Sequence, residues 1–342
     1  MTYKAAVIGL GIMGCVADGL GGRHPEWYTP CCHADAYQYH PRVDLVAGCS
    51  RSIEKRSYFQ EKYPGVAVYE NFRELLEKEE IDIISIATPA TCHAEMVIES
   101  AKAAVKGIYC EKVMACSLAE CDEMIRECES NNATLAINHQ RRWDDRFIAL
   151  KKFIEDGNIG DLQGIQISCG GGRLCRSGSH LFDLALYFAD DDIDLGFGGL
   201  SNPDEFDPGG FGVFETRRGI RITIDMSTGL NHSLNADLIG EQGVIRIIDG
   251  GSQLEFWHLD KASEFGMMSK KHLPINFSVS NPMLNAVDDL IMSIEANKQP
   301  LSSGSDGRSA FEMITAIHLS HIRGKNPISF SVSHKQLVIN SN

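Results

Sequence analysis

Apolar residues fall along this chain in two successive rhythms. In the first third, short unbroken apolar runs alternate with longer stretches patterned like helices. The runs are Ala5 to Gly9, Val43 to Gly48, Ile81 to Ala87, Gly107 to Cys110 and Leu135 to Asn138. A strand covered on both faces needs no polar alternation, so such runs predict buried parallel strands. Asn71 to Glu79 and His93 to Ala104 carry helical patterns between them. Strand, helix, strand repetition predicts a parallel sheet with right-handed crossovers.

After about Phe153 the rhythm changes. Strand-like segments now follow one another with turns between: Leu162 to Ser168, Phe211 to Thr216 and Ile220 to Met226 as a hairpin, then Leu234 to Ile239 and Val244 to Ile248. Helical patterns return at Met283 to Ala296 and Arg308 to Arg323. The expectation is an α/β chain of two domains. The first is a doubly wound parallel sheet over residues 1–125, and the second an α+β domain with an open antiparallel sheet over 126–342. With no flexible Gly/Ser linker between them, the two are expected to abut around a cleft.

A chain of 342 residues exceeds one ordinary domain. A formal charge of −14 excludes a phosphate-backbone partner of the usual kind, because nucleic-acid binders present basic patches. Met1 to Lys4 run directly into the first strand, and no apolar run is long enough to span a bilayer. No membrane association and a cytoplasmic location are therefore expected. The eleven cysteines all lie at or before Cys175, and none sits in a CxxC pair. In a reducing compartment this pattern predicts buried thiols and no metal centre.

The chemistry begins at Gly9-Leu10-Gly11-Ile12-Met13-Gly14, directly after the first strand. The first glycine permits a tight turn, the second lets backbone approach a pyrophosphate, and the third lets helix and strand pack closely. This predicts a nicotinamide dinucleotide site. An acid at the end of the second strand selects NAD by binding the ribose 2′-hydroxyl. Here Ser50 and Arg51 stand there, with Lys55 and Arg56 a turn later. A guanidinium pairs with a 2′-phosphate, so NADP is favoured over NAD. The bland alternative is a solvated basic face. Ala87-Thr88-Pro89 ends the third run, with His93 beyond it, and both are assigned to the cofactor side. The segment Gly21 to Pro30 exceeds what the motif needs and reads as a loop, either over the cleft or on the surface.

Glu111-Lys112 follows the fourth run, on the edge where strand ends line a ligand crevice. Half-buried near a nicotinamide, a lysine becomes a useful acid or base. Glu111 either orients it or bonds the ribose. Gly178-Ser179-His180-Leu181-Phe182-Asp183 precedes a helix predicted at Leu184 to Phe188. His180 and Asp183 share a helical face and offer a proton donor and its support. The alternative is a capping Ser179 with a core histidine. Arg141, Arg142, Arg173 and Arg176 form a possible basic set, Arg141 on the cofactor and Arg173 and Arg176 on the substrate. Ordinary surface charge is the competing explanation.

In this order the motifs resemble the Gfo/Idh/MocA oxidoreductase family over nearly the whole chain. The Asn138 to Trp143 segment and the tail from Pro300 to Gly304, Gly307-Arg308 and on to Gly324 also fall in family order. The resemblance implies a Rossmann domain followed by an open antiparallel sheet that mediates dimers or tetramers. It also implies a carbohydrate-like substrate, with Lys112 as acid/base and His180 and Asp183 beside it. Two positions depart from the pattern. Val113 replaces the proline of Glu-Lys-Pro and is expected to loosen that turn. Arg176 stands where many members carry an aspartate, which suggests a substrate with an anionic group. The leading function is an NAD(P)-dependent dehydrogenase or reductase of a sugar, cyclitol or glycoside. The alternatives are a catalyst with tightly bound cofactor that oxidises and re-reduces its substrate, and a non-catalytic dinucleotide sensor.

Overall fold

The computed structural model describes residues 2–16, 29–228, 233–260, 266–277, 280–332 and 335–340. The chain forms two compact units, Met1–Asp144 with Val279–Arg308, and Asp145–Ser278 with Ser309–Asn340.

The first unit holds a six-stranded sheet. Its strands are β1 (Tyr3–Ile8), β2 (Val43–Cys49), β3 (Ala67–Tyr69), β4 (Ile83–Ile86), β5 (Gly107–Cys110) and β6 (Thr134–Ile137). The order is β3-β2-β1-β4-β5-β6 and every pair is parallel. This is the doubly wound arrangement that the unbroken apolar runs predict. All four residues of β4 and of β5 are buried, so neither strand has a solvated face to alternate toward. The strand order reverses between β1 and β4, and ligands of such sheets bind beyond the strand ends there.

The helices of this unit are α1 (His33–Tyr39), α2 (Ile53–Lys62), α3 (Phe72–Lys78), α4 (His93–Lys102) and α5 (Leu118–Ser130). Ser52, Asn71 and Ser117 cap α2, α3 and α5 with side-chain oxygens that accept backbone N–H groups. The domain boundary differs from the expected one. Residues beyond 125 supply β6, and the helix Pro282–Ala296 belongs to this unit and not to the second. The reason lies in its apolar stripe. Met283, Ala286, Val287, Leu290 and Ile291 recur at helical spacing and pack into one buried cluster with Tyr109, Ala136 and Trp143. Asn281 caps that helix by accepting from the N–H of Met283 at 2.9 Å and of Leu284 at 3.1 Å.

The second unit carries a nine-stranded sheet. Its strands are β7 (Leu162–Ser168), β8 (Ile193–Ser201), β9 (Gly209–Thr216), β10 (Arg221–Asp225), β11 (Asn235–Gly240), β12 (Gly243–Ile248), β13 (Gln253–Leu259), β14 (Met268–Lys271) and β15 (Ile328–Ser329). The order is β14-β13-β12-β11-β7-β10-β9-β8-β15. The predicted hairpins are present, with β9–β10 and β11–β12 both antiparallel. One pair, β7–β10, is parallel, so the sheet is mixed and not wholly antiparallel. Its strands show the half-buried alternation that the early ones lack, with Ile165 and Ile167 of β7 buried and Gln166 exposed. Among the described residues no helix is long and apolar enough to cross a membrane.

Candidate active site

Three loops leave the carboxyl ends of the neighbouring strands β1, β4 and β5. The first is the glycine turn. Gly9 has φ of +97°, and a Cβ there would lie 2.3 Å from the carbonyl oxygen of Ala87. A Cβ on Gly14 would lie 1.8 Å from the oxygen of Gly9. Behind the turn, therefore, only hydrogen fits. In front it is open, since a Cβ on Gly11 would meet only the Lys55 ammonium, at 3.8 Å. Ile12 is exposed and Met13 half-buried at the tip. This shape suits a pyrophosphate, which needs close backbone approach on one side. The chain winds from Ile12 to Val16 as a short π-type turn. Residues 17–28, with most of the expected loop, lie outside the described residues.

At the end of β2, Ser50 is half-buried and Arg51 exposed. Arg56 is committed to holding this turn. Its guanidinium donates to the carbonyls of Ser50 at 2.6 Å and Arg51 at 3.1 Å, and to Glu70 at 3.0 Å.

The second loop is Ala87-Thr88-Pro89, half-buried at Ala87 and Thr88 and exposed at Pro89. His93 was expected to face the cofactor, and its surroundings correct that. The ring is fully buried, Nε2 lies 2.8 Å from the Thr88 carbonyl, and Nδ1 lies 3.0 Å from that of Val113. Its polar atoms are used to tie the second loop to the third. Burial pushes its pKa below the usual histidine value, although the carbonyl contacts and the Glu111 charge pull the other way.

The third loop carries Glu111 and Lys112 directly after β5. Lys112 is half-buried, and the peptide bond to Val113 is cis. Glu111 is buried beneath it. Its Oε1 accepts from Asn138 Nδ2 at 2.6 Å and from His33 Nε2 at 3.0 Å, while Oε2 accepts from the Lys112 backbone N–H at 3.3 Å. Burial pushes the Glu111 carboxyl up. The bond and charge of His33, the Lys112 charge and the Asn138 amide outweigh it and hold the group at about 2. Sequence reasoning missed His33, which belongs to no recognisable motif, and quoted Asn138 without a role.

The basic set divides. Arg141 is half-buried in the 3-10 turn Gln140–Trp143. Arg142 is buried and structural, donating to the Leu301 carbonyl at 3.0 Å and pairing with Asp306 at 2.9 Å. It leaves the ligand-binding candidates for that reason.

In the second unit the histidine motif lies inside a helix, α6 (Ser179–Ala189), and not ahead of one. His180 is half-buried and Asp183 buried. The alternative of Ser179 as a cap fails, because its hydroxyl finds no hydrogen-bond partner among the described residues. Buried Asp207 fixes the preceding turn by accepting from the backbone N–H groups of Cys175 and Arg176, each at 2.9 Å. Arg173 and Arg176 are exposed. A guanidinium in water incurs no desolvation cost when unmatched by ligand, so the exposed Arg176 does not by itself call for an anionic substrate. Among the described residues no group of three or more His, Cys, Asp or Glu side chains could hold a metal ion.

Residues 3–139 match the model of an oxidoreductase family with an NAD-binding Rossmann fold, Gfo/Idh/MocA. That match spans β1 to β6 and the loops that leave them. It is 26% identical over 348 residues to the myo-inositol 2-dehydrogenase of Thermotoga maritima, covering 90% of this chain and 92% of that one. An uncharacterized oxidoreductase of Schizosaccharomyces pombe is 30% identical over 154 residues, and the match spans 40% of this chain and 42% of the yeast protein. Among solved structures, the aldose-aldose oxidoreductase of Caulobacter crescentus superposes with a TM-score of 0.78 at 19% identity, over 96% of this chain and 100% of that one. That likeness establishes the shared fold.

Proposed function

We propose that this chain interconverts a hydroxyl and a carbonyl carbon of a sugar or cyclitol, with NADP or NAD as redox partner and Lys112 as proton-transfer group. One observation carries the reading. Lys112 stands directly beyond β5, on the sheet edge that also bears the glycine turn of β1 and the Thr88 turn of β4, with a carboxylate fixed behind it. The dinucleotide, when bound, supplies the hydride chemistry. Gly9, Gly11, Ile12, Met13 and Gly14 would hold its pyrophosphate, Ser50 and Arg51 its adenosine end, and Ala87, Thr88, Pro89 and Arg141 its remaining length. Glu111 serves from behind, through Lys112.

The chain's own contribution is proton handling. Lys112 in its amine form accepts the hydroxyl proton when a carbonyl forms and returns it in the opposite direction. His180 and Asp183 are assigned the hydrogen bonding of the substrate oxygen, and Arg173 and Arg176 contacts to its other hydroxyls, on the sequence motif. NADP is the favoured cofactor because Arg51 is an exposed cation where an acid would select NAD. The carbohydrate class is supported by the names of the related inositol dehydrogenase and aldose oxidoreductase. Assembly as a dimer or tetramer through the nine-stranded sheet goes with the family resemblance.

The test is Lys112→Ala assayed on a panel of myo-inositol and common aldoses, following reduced nicotinamide by absorbance. Turnover is expected to fall by about 10²- to 10⁴-fold while dinucleotide affinity holds within a few-fold. A variant that keeps wild-type turnover overturns the assignment. Dinucleotide binding without turnover on any member of a broad panel would favour the sensor.

A further inference from the structure

We propose that His33 is a positioning residue for this reaction: carried in on α1, it fixes the carboxylate of Glu111 next to Lys112. The inference rests on the assignment of Lys112 above and adds what secures its neighbour.

His33 and Tyr37 stand one helical turn apart on α1, and both reach Ser85 of β4. The Tyr37 hydroxyl lies 2.6 Å from Ser85 Oγ, and Ser85 Oγ lies 2.8 Å from His33 Nδ1. On the other side of the ring, Nε2 lies 3.0 Å from Glu111 Oε1. Tyr37, Ser85 and His33 are all fully buried, so water does not compete.

The direction of each bond follows from the chemistry of its members. A carboxylate only accepts, so Nε2 carries a proton and donates to Oε1. Nδ1 meets the Ser85 hydroxyl, accepting from it in the neutral ring and donating to it in the charged one, and the Tyr37 hydroxyl lies beyond Ser85. The Asn138 amide is oriented independently, because its Oδ1 accepts from the Tyr109 hydroxyl at 2.7 Å and so turns Nδ2 onto Oε1. The Tyr109 ring also packs edge-on against that of His33, with centroids 4.6 Å apart. Two donors thus hold Oε1, and Oε2 is left turned toward Lys112.

A buried carboxylate without donors takes up a proton or swings toward water. His33 supplies the strongest opposition to that in this site, ahead of Lys112 and Asn138. The other titratable groups near Glu111 are Lys112, His93 of α4, and Cys110, whose thiol is raised by burial and then by the Glu111 charge. His93 and Cys110 are turned to backbone carbonyls and not to Oε1. Removing His33 is expected to let Glu111 titrate upward and to release the anion that faces Lys112.

The experiment follows the Glu111 carboxyl by ¹³C NMR in glutamate-labelled protein, its signal identified by loss in Glu111→Gln. Wild type is expected to show no titration of that carbon from neutral to mildly acidic pH. His33→Leu should bring the titration into that range, and His33→Gln, whose amide can donate to Oε1, should largely reverse it. In parallel, kcat on the best panel substrate should fall about 10- to 100-fold in His33→Leu, as a displaced reacting group would cause. The acid limb of its pH profile should shift, the dinucleotide KM should stay within a few-fold, and His33→Gln should recover both. Where His33→Leu does not fold, Ser85→Ala replaces it, removing the hydrogen-bond partner of Nδ1. An unchanged Glu111 titration together with an unchanged pH profile overturns the inference. Wild-type turnover in Lys112→Ala instead sinks the acid–base assignment, and the NMR comparison then still decides whether His33 fixes Glu111.

Discussion

The glycine turn separates two roles that are usually lost together, and paired substitutions can pull them apart. In Gly14→Ala the new methyl would sit 1.8 Å from the Gly9 carbonyl oxygen, inside any permissible contact. The turn must open against the Ala87 carbonyl, and overpacking of this kind costs about 1–3 kcal/mol. For a unit of this size each kcal/mol corresponds to about 2–4 °C, so the loss in melting temperature is about 2–12 °C. In Gly11→Ala the new methyl meets only the mobile end of Lys55, at 3.8 Å. Its effect on the apo protein should be small, and it is even favoured by about 0.4–1 kcal/mol from the unfolded chain where the backbone conformation suits alanine. That methyl projects from the open side where the pyrophosphate would lie, so dinucleotide affinity should drop by at least an order of magnitude. The assay is thermal unfolding without cofactor, followed by calorimetric titration with NADP and with NAD. Equal melting losses in the two variants, or wild-type affinity in Gly11→Ala, would refute the division into a closed back and an open front.

The remaining predictions concern specificity, scaffold and pH. NADP should bind more tightly than NAD, and Arg51→Ala should remove the difference; a preference for NAD in wild type by titration counts against the assignment. Arg142→Ala removes a buried guanidinium that pairs with half-buried Asp306 and holds a carbonyl, and should cost about 1–3 kcal/mol, leaving dinucleotide affinity unchanged; a tenfold loss of affinity without loss of stability would make it a ligand. Because the Glu111 pKa is lowered in the folded state from 4.5 to about 2, its contribution is present above 4.5 and is lost as pH falls between those values. Denaturant titrations across that window should show a shallower acid loss in Glu111→Gln than in wild type.

The parallel sheet was readable because Ala5 to Ile8 of β1 and all of β4 and β5 are buried and so appear as apolar runs. The hairpins of the second unit were readable for the opposite reason, their alternation of buried and exposed positions. What escaped was the return of Pro282–Ala296 to the first unit, since an apolar stripe announces burial and not its partner. At the site, the glycine turn was readable because Gly9 takes a positive φ and a Cβ on Gly14 would strike the Gly9 carbonyl. His93 and Arg142 each hold a backbone carbonyl, and in sequence such a titratable or charged side chain looks the same whether it meets a ligand or a carbonyl. His33 was invisible, as its significance lies wholly in contacts to Ser85 and Glu111, far along the chain.

The seclusion of the cysteines has a practical corollary. All eleven remain thiols, and all but Cys92 and Cys169 are buried. Burial pushes Cys49 and Cys128 up to about 12 and raises Cys110 and Cys121 as well, so these sulfurs are scarcely nucleophilic at neutral pH. The folded protein therefore presents two addressable sulfurs to an alkylating reagent, and the unfolded chain presents all of them. One of the two, Cys92, lies in the turn between Pro89 and His93. A fluorophore attached there would sit beside the loop assigned to the cofactor, turning the native sequence into its own optical reporter without an engineered label site.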